Sequence, residues 1–258
     1  MARAEAEPEA DPKPAGIRVP GGVFVVRRWP TLVGACMLAV LLALGTWQVE
    51  RLSWKRGLIA EMQERMQEMP VDIGLSEIPP EDAPSMDYRQ GSASGTFEND
   101  KELYLAGVSK SGAGGYHVLT PLRLPGRARA LLVDRGWVPY GKKDPATRAQ
   151  GQIAGFASVA GILRLPPQHK PWMRPDNDPA KDAWYWIDLP AMADAAGVKE
   201  FLPYVLEADD ALVPGGYPLG GQTVIDLPNN HLGYAITWYG LALALLVVYG
   251  ISGYRRVA

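Results

Sequence analysis

The sequence predicts an α+β membrane protein: two transmembrane helices flanking an exterior, mostly antiparallel β domain, a sheet or partly closed barrel with few helices. Three observations predict it. Residues 31–49 and 232–251 carry no charge, and each run approaches the roughly 20 residues needed to cross a hydrocarbon core about 30 Å thick. Aromatic residues bracket both runs: Trp29 and Trp47, about 27 Å apart by helical rise, and Tyr234, Trp238 and Tyr239 against Tyr249 and Tyr254. Between the runs lie short segments rich in Val, Leu, Tyr and Thr, divided by turn chemistry.

Taken in order, residues 1–29 read as a cytoplasmic, disordered tail whose head, MARAEAEPEADPKPAG, is acidic and rich in proline. Residues 30–49 form the first transmembrane helix. It is too long for a signal peptide's apolar stretch and runs into polar helix, with no small-residue cleavage site. A helical extension follows over 50–69, because Leu52, Leu58, Ile59, Met62, Met66 and Met69 recur at threes and fours until Pro70 stops them. The methionine stripe reads as packing filler, since no His or Cys joins it to suggest copper.

Within the β-rich domain, 50–230, strands are predicted at 88–97, 101–108, 115–124, 129–138, 157–165, 184–189 and 203–209, with a short helix over 189–198. Residues 231–251 form the second transmembrane helix and 252–258 a cytoplasmic tail. Arg255 and Arg256 follow that helix, whereas residues 200–230 hold no Lys or Arg, so the positive-inside rule puts both termini in the cytoplasm and the domain in the periplasm. The head does not resemble an Arg-rich transit peptide, and a bacterial inner membrane fits it best.

Composition narrows the function. Residues 50–230 carry 19 Lys and Arg against 24 Asp and Glu, with no basic block, which argues against nucleic acid. Cys36, the only cysteine, lies inside the first span, so the domain holds no disulfide and no thiolate metal site. Phosphate loops, nucleophile elbows and zinc spacings are absent from the sequence. Asp134 and Arg135 in VDRGWVP point to opposite faces of a strand, which suits a salt-bridged strand end. His117 reads as a sheet-surface residue and His169 as a loop residue. A hydrolase would require paired acids or a Ser–His pair around one of them.

His231 stands at the mouth of the second span. On a helix it shares a face with Tyr234, Ala235 and Trp238. Three readings compete: a cap or headgroup anchor helped by Asn229 and Asn230, an ion site, or an axial ligand to haem iron, for which one imidazole and a flat apolar slot suffice. The small-residue stripes Ala35, Ala39, Ala43 and Gly240, Ala244 are expected to pack the spans together, bringing His231 and Trp238 against Trp47, Gln48 and Arg51. Arg51 would suit a haem propionate, or would simply stop the helix sliding inward.

The segments LGTWQVERLSWK (44–55), GTFENDKELYL (95–105), GYHVLTPL (115–122), VDRGWVP (133–139) and LPNNHLGYAITWYGLA (227–242) resemble the Surfeit locus protein 1 family of cytochrome c oxidase assembly factors. The resemblance implies a non-enzymatic respiratory-chain chaperone that binds haem a, received from haem A synthase, and assists its insertion into oxidase subunit I. It carries haem a binding over to His231. Alternatively the protein is a membrane-anchored scaffold that steadies a subunit I intermediate without ligating haem. In the carrier reading the haem iron is held by His231 beside Tyr234, Trp238, Trp47 and Arg51, with the farnesyl tail in lipid. Gly95 resembles a family turn glycine, and Arg135, Gly136 and Trp137 belong to the structural motif in which this chain has Asp134 where many relatives read Asn.

Overall fold

The computed structural model describes residues 16–75, 78–224 and 229–256, and the chain divides into two compact units, residues 1–58 with 228–258, and residues 59–227. The expectation of disorder over residues 1–15 lies outside the described residues.

The first unit is a helical hairpin. Helix α1, Arg28–Gln67, begins with Pro30 in its first turn, where a missing N–H costs nothing, and contains no further proline until Pro70 beyond its end. Helix α3 is His231–Gly253. Both are long and apolar enough to cross a membrane, with mean hydropathies of 2.0 and 1.8 over their best windows. Over residues 31–52 of α1 the positions withdrawn from the surface are Thr31, Gly34, Leu38, Leu41, Gly45, Gln48 and Leu52, with Leu44 beside Gly45; those of α3 before its last turn are His231, Ala235, Trp238, Ala242, Leu245 and Tyr249. Both sets alternate steps of three and four, the repeat that keeps one seam facing a partner helix. Thr31 Oγ1 meets Tyr249 Oη at 2.5 Å, Thr46 Oγ1 meets Tyr239 Oη at 3.1 Å, and the Tyr239 ring lies where a Cβ on Gly45 would be, 2.8 Å away. The expected stripes are therefore corrected. Ala35, Ala39, Ala43, Gly240 and Ala244 are exposed, because the seam follows Gly34, Gly45, Ala235 and Ala242.

A second correction concerns the chain ends. Strands β1 (Ile17–Val19), β2 (Gly22–Phe24) and β10 (Tyr254–Arg256) form a three-stranded antiparallel sheet with β2 central, where two tails were expected. Phe24 stacks edge-on against Tyr249, and Val25 N donates to Gly253 O at 2.9 Å, fastening the sheet to the hairpin.

The second unit is a barrel. Strands β3 (Val71–Asp72), β4 (Gln90–Phe97), β5 (Leu103–Val108), β6 (Gly114–Arg123), β7 (Ala130–Pro139), β8 (Phe156–Arg164) and β9 (Phe201–Ala208) lie in the order β3-β4-β8-β9-β7-β6-β5. Thr96 and Phe97 of β4 also pair with Arg123 and Leu122 of β6, which closes β4, β8, β9, β7 and β6 into a ring. The pairing is antiparallel except for β3–β4 and β7–β9. Alternation along the strands builds two cores: Leu131 and Val133 join Phe97, Leu122, Leu163 and Leu206 in one, while Ala130 and Leu132 join Leu119, Trp184, Met192 and Val205 in the other. Helix α2, Leu189–Ala195, covers this second core, its first turn capped by the Asp188 carboxylate accepting from Ala191 N.

The strand expected at 184–189 does not form. Asn177 Oδ1 accepts from Tyr185 N and Trp186 N, and its Nδ2 donates to Trp186 O, so a side chain takes the backbone groups that a ladder would use. Gly95 lies inside β4 and not in a turn. A Cβ there would stand 2.3 Å from Arg123 O, so only glycine lets β6 approach.

Candidate functional site

His231 opens α3, and Asn230 occupies the N-cap position without a side-chain bond. The cap role expected of the two asparagines is thus not played by Asn230, and Asn229 Oδ1 is buried without a hydrogen-bond partner among the described residues. His231 Nδ1 lies 2.7 Å from Gln48 Oε1. An amide oxygen only accepts, so Nδ1 donates, and in the neutral ring that leaves the lone pair on Nε2. Metal-ligating histidines are commonly oriented this way, by an acceptor on the nitrogen that does not bind.

The other residues expected around His231 divide. Trp238 lies on the seam, four residues from the buried Ala242. Tyr234 and Trp47 are 57% and 52% exposed, on the shoulders of their helices and away from the seam. Arg51 is exposed, with its guanidinium 4.2 Å above the Trp54 ring. The expected face of His231, Tyr234 and Trp238 opposite Trp47, Gln48 and Arg51 is therefore reduced at its centre to His231, Trp238 and Gln48, with Trp47, Tyr234 and Arg51 on its margins. Gln48 stands opposite His231 as expected, and in addition its amide oxygen orients the imidazole, a role not legible in the sequence. The sequence shows only an amide inside an uncharged segment.

A second cluster lies in the barrel unit. His117 on β6 is not a bare surface residue. Its Nδ1 meets Asp134 Oδ2 at 2.8 Å, and its Nε2 lies 3.3 Å from Val108 O. Burial would lower the imidazole pKa, but the Asp134 charge and hydrogen bond outweigh it and hold His117 at about 9. Asp134 pairs in register with Glu207 on β9, and the three line a cavity of about 200 Å³ with Arg164, Gln222 and Thr223. Burial, with Asp134 next, pushes the Glu207 carboxyl above the usual range, and Thr223 Oγ1 donates to it at 2.6 Å. Paired acids beside His117 were the feature a hydrolase would need. Here both imidazole nitrogens are engaged and the ring is charged at neutral pH, so His117 is not poised as a general base. His169 is exposed on its loop.

VDRGWVP joins four structural tasks. Asp134 Oδ1 accepts from Gly136 N at 2.9 Å while Oδ2 holds His117. Arg135, 4% exposed, donates to Asn99 Oδ1 and Gly151 O and lies 4.7 Å over the Phe97 ring. Gly136 has φ +120°, and a Cβ would fall 2.0 Å from Leu219 O. Trp137 is buried and exchanges both backbone hydrogen bonds with Leu219 at 2.9 Å. The nearby Glu102–Arg148 pair is almost completely buried, with contacts of 2.5 and 3.0 Å.

These features define a membrane protein whose two apolar helices flank a closed β barrel, with one imidazole fixed by an amide on the helical hairpin. The SURF1 family model matches residues 35–243. Surfeit locus protein 1 of Rattus norvegicus is 38% identical over 221 residues, covering 80% of this chain and 70% of that protein. Its Homo sapiens counterpart is 37% identical over 217 residues, 78% and 70% of the two chains. A SURF1-like protein of Monosiga brevicollis is 34% identical over 81% and 82%. The chain belongs to the SURF1 family.

Proposed function

We propose that this protein is a non-enzymatic cytochrome c oxidase biogenesis factor that binds haem a and assists its insertion into oxidase subunit I, taking the haem from haem A synthase. The observation that carries this reading is the 2.7 Å bond from His231 Nδ1 to Gln48 Oε1, which leaves Nε2 as the ring's only acceptor. The donor set suits cargo. One neutral imidazole ligates haem iron readily, and a single protein ligand is easier to exchange than two. The uncharged hairpin below His231 suits a lipid-tailed porphyrin, and Asn229 Oδ1, unpartnered among the described residues, is a polar group next to the ligand in sequence. The charge pattern supports both termini in the cytoplasm of a bacterial cell and the barrel in the periplasm.

Capture of subunit I separates carrier from scaffold. A carrier predicts that wild-type protein co-expressed with haem A synthase delivers haem to captured subunit I, and that His231→Ala captures subunit I but delivers none. Equal haem delivery by the variant would favour the scaffold that never ligates haem.

A further inference from the structure

The sheet formed by the two chain ends sorts its side chains. Residues paired across strands share a face, so Arg18, Val23 and Arg255 form one row, while Ile17, Phe24 and Tyr254 form a row on the opposite face. The second row is turned to the hairpin, since Phe24 meets the Tyr249 ring with centroids 5.6 Å apart. The row with Arg18 and Arg255 therefore faces away from it, the two arginines on the outer strands and separated by about two strand spacings, roughly 9.5 Å. Arg27 and Arg28 lie where β2 leads into α1, and Arg256 ends β10; all five arginines are exposed. Residues 16–49 and 229–256 contain no Asp or Glu. The uncharged runs of both helices begin or end within a few residues of the sheet, which sets the arginines at headgroup depth.

We propose that this sheet is a docking face for anionic phospholipid, its arginines gripping headgroup phosphate from one leaflet and fixing the hairpin's depth and rotation. Arginine forks pair bidentately with phosphate, and Arg18 and Arg255 on this face, with Arg27, Arg28 and Arg256 around it and no carboxylate in residues 16–49 or 229–256, supply the complementary charge. The inference is independent of what His231 holds.

Native mass spectrometry of the full chain from micelles of mixed phosphatidylcholine and phosphatidylglycerol tests it. R18Q/R255Q is expected to weaken phosphatidylglycerol retention about thirtyfold, the loss appropriate to two interfacial arginines, with phosphatidylcholine unaffected. V23P keeps all five arginines but takes a ladder hydrogen bond from the central strand and disturbs its packing in the sheet, and is expected to weaken retention comparably. Unchanged phosphatidylglycerol retention in R18Q/R255Q would overturn the proposal, and unchanged retention in V23P would reduce it to charge without a built surface. If phosphatidylglycerol binds only after deletion of residues 1–15, the face belongs to the acidic Glu5, Glu7, Glu9 and Asp11 segment and the lipid assignment fails.

Discussion

His231 Nδ1 and Gln48 Oε1, 183 residues apart in the chain, meet at 2.7 Å between two antiparallel helices. Gln48→Leu keeps a similar volume and removes the acceptor. Haem retention should weaken by roughly 10- to 100-fold, the usual effect of losing a ligand's orienting partner. Gln48→Glu, which still accepts, should retain haem far better. Equal loss in both variants, read by haem dissociation from purified protein, would mean that Gln48 only packs.

Gly45 and Ala39 distinguish the observed seam from the stripe expected from sequence. Gly45→Leu would drive a side chain into the Tyr239 ring and should destabilise the hairpin by about 1–3 kcal/mol. Ala39→Leu, at an exposed position, should change stability little. Thermal loss of helical circular dichroism in detergent checks both.

The His117–Asp134 pair gives the barrel a pH dependence of definite sign. The folded imidazole pKa of about 9 lies above its ordinary value of 6.5, so the stabilisation is fully present below pH 6.5 and lost as pH rises through 9. Its size should be on the order of 1–3 kcal/mol. Urea unfolding of the full chain between pH 6 and 10 should show the decline. Asp134→Asn, which removes the charge that raises the imidazole pKa, should flatten it.

Gly136 combines a left-handed φ with a carbonyl where its Cβ would lie, so Gly136→Ala should cost at least ~2 kcal/mol. Gly112 also has positive φ, +88°, but faces open space, and Gly112→Ala should cost only about 1 kcal/mol. Denaturant midpoints of the two variants measure the difference.

Arg148 and Glu102 side chains are 1% and 2% exposed. Arg148→Met leaves the buried Glu102 carboxylate with only Arg135, 3.6 Å away, as a cation and should cost about 3 kcal/mol, whereas Arg148→Met with Glu102→Gln should recover part of it. A double mutant whose loss equals the sum of the single losses would contradict the coupling.

Local pattern carried much of this architecture. The uncharged runs, the methionine-spaced extension to Gln67 and most barrel strands follow from periodicity that neighbouring residues enforce. What the sequence obscured is non-local. Ala35, Ala39 and Ala43 and the true seam through Gly34 and Gly45 are equally small, and only the partner helix selects between them. The three-residue strands at Ile17, Gly22 and Tyr254 are too short to signal themselves and exist through pairing across the whole chain. His117 looked like a surface residue because Asp134 reaches it only through the β6–β7 register and its bulge between His117 and Leu119. Likewise, His231 was legible as a candidate ligand, whereas the tautomer that makes Nε2 available depends on Gln48 on the other helix.

The most direct test is the absorbance spectrum of protein purified after co-expression with haem A synthase, beside His231→Ala and an intact-fold check by circular dichroism. The account predicts a haem a band in the wild type and its loss or displacement in the variant. An identical band in both proteins would contradict ligation through His231.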